Sequence, residues 1–160
     1  MSLERIGVLA TRGLAAVGLV LLMTLAVMTL ADGLMRWLAN RPIDGVRDVG
    51  ALLIAVAVSC CLPVGLMERS NITIRAAQAA LGAATGRALD AIAALLVQLV
   101  IAAMAWQFTV FAGKIARAGE TTWVLKIPTA PFWYLVAAIL WIAVVVQAIV
   151  VVLEARKLRR

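Results

Sequence analysis

The sequence predicts an all-α integral membrane protein with four transmembrane helices, and three observations carry that prediction. Hydrophobic residues make up 65% of the chain and charged residues 14%, against about 45–50% and about 25% in an ordinary soluble domain. The few charges fall in clusters, which leaves four uncharged stretches at 13–31, 49–67, 91–113 and 127–153. Each is long enough to cross a hydrocarbon core as a helix, the one open-ended structure that satisfies its own backbone hydrogen bonds in lipid. Four spans use most of the 160 residues, so a single membrane domain over 1–160 is expected. Its spans are placed at about 13–36, 48–67, 90–113 and 127–153.

The first span follows Arg5 and Arg12 and ends in Thr-Leu-Ala, a pattern shared with secretion signals. Its uncharged core of 19 residues exceeds the roughly 7–15 of a signal segment, so a retained span is expected. The second contains no aromatic residue and repeats Ala51, Ala55 and Ser59 at four-residue spacing. Small residues on one stripe let helix backbones approach, which makes these three the candidate packing positions of a buried span. Pro63 is expected to kink its far end. The adjacent Cys60 and Cys61 read as small packing residues rather than a disulfide or a metal site. Gln98, Gln107 and Gln147 stand alone at membrane depth in the third and fourth spans, where interhelical hydrogen bonding is the commoner use and substrate contact the rarer.

The connections carry most of the remaining signal. Asp32 and Arg36 are four apart and are expected to pair near the end of the first span. Asp44 and Asp48 bracket the start of the second, where acids suit the positive end of a helix dipole. Between the second and third spans, Arg75, Gln78, Gly82 and Thr85 alternate with Ile74, Ala77, Leu81 and Ala84 at steps of three and four. That spacing predicts an amphipathic segment over about 71–87, with a loop as the alternative. The third connection, GETTWVLKIPTAPFWY from Gly119 to Tyr134, opens on a glycine suited to a turn, and Pro128 is expected in the first turn of the fourth span.

Lysine and arginine set the orientation. Nine of them lie in the N-terminal segment, the second connection and the tail, and six lie in the first and third connections, so both termini are expected to be cytoplasmic. Trp37, Trp123, Trp133 and Tyr134 then gather at the outer interface, where amphipathic rings prefer to sit. Arg156, Lys157, Arg159 and Arg160 become candidate anchors to anionic lipid head groups. No basic, aromatic-interleaved soluble surface exists, so nucleic acid is not an expected partner.

The chain has no histidine, which removes the usual haem ligands, histidine-based metal sites and histidine general bases together. No acid or base lies inside the uncharged core of any span, so a membrane-embedded proton relay lacks its central residue. Matched half-helices broken by glycine and proline, the usual mark of a midplane binding site, are missing as well. No cofactor or catalytic residue is expected, and an accessory membrane subunit is the reading that remains.

Three features resemble the small permease subunit, DctQ type, of tripartite ATP-independent periplasmic (TRAP) transporters. RWLANRPIDGVRDVGALLIAV, from Arg36, is similar to the family's arginine, short loop and acid opening the second helix, here Asp48. ERSNITIRAAQAAL, from Glu68, resembles its basic turn before an amphipathic segment, with Asn71 and Arg75 standing where the family has a histidine and an acid. Gly119, Thr122, Leu125, Ile127 and Pro128 resemble its signature before the last span. The resemblance implies a large permease subunit and a periplasmic binding protein as partners, with lipid around them. It also implies ion-coupled uptake, usually with sodium, of an organic acid across a bacterial inner membrane. Asp44, Asp48, Gly119, Thr122, Trp123 and Pro128 become candidate partner contacts, with local capping and interfacial anchoring as the alternative. Other readings are the small subunit of a tripartite tricarboxylate transporter, a redox-enzyme anchor, and a self-sufficient four-span exporter.

Overall fold

The computed structural model describes the backbone of residues 3–67 and 83–158, and the side chains of 7–67 and 89–156. Those residues form four helices: α1 (Leu3–Ala39), α2 (Val46–Met67), α3 (Ala83–Ala118) and α4 (Ala130–Leu158). All four are long and apolar enough to cross a membrane. The amphipathic segment expected at about 71–87 falls largely outside the described residues.

The helices run past the uncharged stretches because lipid constrains only the apolar part of a span. Arg5 and Arg12 lie inside α1 and Lys114 and Arg117 inside α3, where a charged side chain at a helix end can extend toward water. α1 stops at Asn40, whose φ of 50° is a left-handed conformation that asparagine tolerates. α3 stops in a Schellman cap at Gly119, φ 63°. There the Glu120 amide donates to the Ile115 carbonyl and the Gly119 amide to that of Ala116, both at 3.3 Å, which satisfies two orphan carbonyls. Alanine at Gly119 is expected to cost about 1–2 kcal/mol, read as a lower unfolding midpoint of the protein in detergent.

The start of α4 departs from expectation. The helix begins at Ala130, and Pro128 lies before it, paired across the loop with Thr121. The Ile127 amide is already held by the Thr122 hydroxyl at 3.0 Å, and Thr129 takes the cap position, its carbonyl accepting from Trp133 at 3.3 Å. Pro131 occupies the first turn instead, where a missing amide costs nothing.

α1 packs on α2, α2 on α4 and α4 on α3, so the helices form an open row in the order α1, α2, α4, α3. α2 and α4 are the interior of that row and α1 its most open edge. In their most apolar windows 39% of α2 and 44% of α4 is buried, against 6% of α1. Where α2 meets α4, Val56 and Cys60 join Val136, Ile139, Leu140 and Ala105 in the core cluster. Pro63 lies inside α2 and is fully buried.

α1 and α2 run antiparallel with glycine between them: Gly7 lies by Met67, Gly18 by Ala57 and Cys60, and Gly50 by Leu25. The approach is closest at Gly18, where an added Cβ would meet the Ala57 carbonyl oxygen at 2.8 Å and the Cys60 Cβ at 2.9 Å. On the other edge, Gln147 of α4 donates to the Ala94 carbonyl of α3 at 3.0 Å and Trp141 to the Thr109 hydroxyl at 3.1 Å. Hydroxyls elsewhere bond back to their own helix, as Thr24 does to Val20 at 2.8 Å and Thr29 to Leu25 at 2.8 Å, so they cross lipid without unmet polarity.

Candidate functional site: the joined loop end

The α1–α2 and α3–α4 connections lie at the same end of the row and are bonded to each other. The link is Asp48, in the first turn of α2. Its Oδ2 accepts from the Val124 amide at 2.7 Å and the Leu125 amide at 3.0 Å, two successive backbone donors converging on one anion. The Thr122 side chain lies against the same carboxylate. Asp48 and Thr122 are both buried. The carboxylate is therefore engaged within the chain, and its position in the first turn also suits the helix dipole.

The loop that carries those amides is itself pinned at its base. Thr122 donates its amide to the Ile127 carbonyl at 2.9 Å, and the Thr129 amide donates to the Glu120 carbonyl at 3.1 Å. Lys126 closes the tip with a φ of 55°. On the facing loop, Gly45 has a φ of 86°, and the Leu125 side chain fills the space where a Cβ would stand, 2.5 Å from Leu125 Cδ1. Asp32 orders the rest of that loop. Its Oδ1 accepts from the Ile43 amide at 2.7 Å while Oδ2 pairs with Arg36 at 2.8 Å.

Trp123 stands on this pinned tip with 90% of its surface exposed. Beneath it, Phe108, Phe111 and Trp133 form an aromatic group, the closest pair being Phe111 and Trp133 at 5.0 Å and 87°. Between the two loops and this group opens a cleft of about 850 Å³.

The sequence-based candidates are thus distributed unevenly. Asp44, Asp48, Thr122 and Trp123 all line the cleft, while Gly119 and Pro128 shape the loop from behind. Ala51 is exposed and also lines the cleft, Ala55 is half-buried, and Ser59 is buried with its hydroxyl donating to the Ala55 carbonyl at 2.6 Å. Arg156 is exposed at the opposite end of α4; the side chain of Lys157, and Arg159 and Arg160 entirely, lie outside the described residues. Sequence reasoning missed the Leu125–Gly45 contact, although the Asp44-Gly45 pair is a turn signal, and it missed Gly18. Among the described residues no three His, Cys, Asp or Glu side chains gather as metal ligands would.

A family model for the DctQ component of tripartite ATP-independent periplasmic transporters matches residues 25–158. The chain belongs to this family. No curated protein and no solved structure matches it. The match runs from the middle of α1 to the end of α4 and takes in both loops of the joined end. This DctQ component is a small permease subunit of a multi-part transporter, and its four apolar helices suit a multi-pass membrane protein. The family is one of transporter components rather than of enzymes.

Proposed function

We propose that this DctQ component braces the large permease subunit in a bacterial inner membrane and offers its loop end to the periplasmic binding protein. The transport served is ion-coupled uptake of an organic acid. Both termini lie on the cytoplasmic side in this reading, which the nine-to-six bias of basic residues supports. The observation that carries the docking part is the preorganised tip. Asp48, Thr122 and Gly45 fix the loop, so Trp123 is presented without the ordering cost that a free loop would incur on binding. Exposed aromatic residues on rigid supports are the usual anchors of a protein interface. Asp48 and Thr122 serve as positioning residues, and Trp123 with Asp44 makes the contact.

The bracing part is supported by α1, whose apolar outer face includes Leu19, Val20, Val27 and Leu30, each at least 60% exposed. The test is affinity purification of the chain from its native membrane in mild detergent, together with uptake by a strain that lacks it. A large permease is expected to co-purify and uptake to fall. Recovery of the chain alone with unchanged uptake would overturn the proposal. Trp123→Ala is expected to weaken capture of the binding protein while leaving the large subunit bound.

A further inference from the structure

The cleft at the loop end is amphipathic in depth. Its apolar lining comes from buried Leu52 and Ile115, with half-buried Trp133 and exposed Phe111 beside them. Its mouth carries charges of both signs, and several of these are already engaged: Arg36 pairs with Asp32, and Asp48 is held by the loop amides. Three charged side chains at the mouth remain, Arg47, Asp44 and Glu120, all exposed and all lining the cleft. None of the three has a side-chain hydrogen bond or a direct salt bridge among the described residues, and Arg47 acts only through space on Asp32. The cleft reaches from the loops into the first turns of α2 and the last turns of α3, which is the depth at which lipid head groups meet hydrocarbon.

We propose that this cleft seats one zwitterionic phospholipid with a primary amine, of the phosphatidylethanolamine class. The charge pattern selects it. Arg47 offers the planar donor fork that suits a phosphodiester. A primary ammonium presents three N–H donors, as lysine does, to the Asp44 and Glu120 carboxylates. A choline head group has no N–H to give them. A glycerol head group brings no cation to offset the two carboxylates, and its uncompensated phosphodiester adds to a mouth where Arg47, Asp44 and Glu120 already sum to a negative charge. The apolar lining accepts the upper part of an acyl chain, and about 850 Å³ is within the range of small-molecule sites. The inference shares Asp44 with the docking proposal but is read separately from it, as lipid retention by the protein with no binding protein present.

The experiment is native mass spectrometry of the protein, with whatever subunit accompanies it, after delipidation and readdition of dioleoyl phosphatidylethanolamine, phosphatidylcholine or phosphatidylglycerol. The ethanolamine lipid is expected to be retained about tenfold over the other two, the effect of losing one hydrogen bond to a charged group. Glu120→Gln should abolish that preference and Arg47→Gln should lower retention of all three lipids, whereas Arg41→Gln, on the same loop but away from the cleft, should change neither. All three positions are exposed, so the fold is retained and circular dichroism checks that it is. Equal retention of the three lipids would overturn the proposal. So would an unchanged preference in Glu120→Gln, unchanged retention in Arg47→Gln, or cross-linking from Glu120→Cys to a protein chain in place of lipid.

Discussion

Asp48→Ala is expected to free the α3–α4 loop from α2 while leaving all four helices in place. The substitution removes the acceptor shared by the Val124 and Leu125 amides, and the loop has no second polar tie to the start of α2 among the described residues. Amide hydrogen exchange at those two positions should accelerate by on the order of tenfold or more, because exchange there then reports local opening. Far-ultraviolet circular dichroism should be unchanged. Asp48→Asn is the informative companion. Both bonds go to a single oxygen, Oδ2, and an asparagine keeps one carbonyl oxygen as an acceptor, so most of the protection should return. If Asp48 instead touched a partner through its charge, the asparagine variant would fail like alanine in binding-protein capture while keeping its exchange protection.

Gly18→Leu is expected to separate α1 from α2. A Cβ at that position already meets a backbone carbonyl oxygen at 2.8 Å, and backbone cannot swing aside as a flexible side chain can. Even Gly18→Ala should cost about 1–3 kcal/mol, the usual penalty for overpacking, read from unfolding in detergent; leucine should exceed it and release α1 to proteolysis. Gly13→Ala and Gly33→Ala are the controls. Nothing stands within 4 Å of a Cβ at either, so both should be neutral or slightly stabilising through helix propensity.

These two cases mark where sequence reading reaches and where it ends. The four spans were legible because charge is costly in hydrocarbon, so the gaps between charged clusters are the spans themselves. The Asp32–Arg36 pair was legible for a similar reason, being local in sequence. Helix ends were less so: Ile127 looks like part of an apolar run, but its bonds to Thr122 and the proline that follows keep it out of α4. Asp48 could be placed at a helix start, but its partners lie 76 and 77 residues away, a pairing that no local pattern encodes. Gly18, Gly13 and Gly33 look alike in the sequence, and which of them faces a neighbour depends on how α1 is turned about its own axis. The stripe Ala51, Ala55 and Ser59 shows the same gap. The spacing was readable, but its first member faces the cleft rather than another helix.

The open row has a consequence for how the protein is made. Each edge helix packs against its own neighbour along the chain, α1 on α2 and α3 on α4, so each pair can close as soon as its second member enters the bilayer. What then remains is lateral docking of two finished hairpins, through the α2–α4 seam and the Asp48 clasp. Contacts so local in sequence carry little loop-closure cost. Biogenesis would then proceed in two inserted pieces, and the clasp would be the last bond to form.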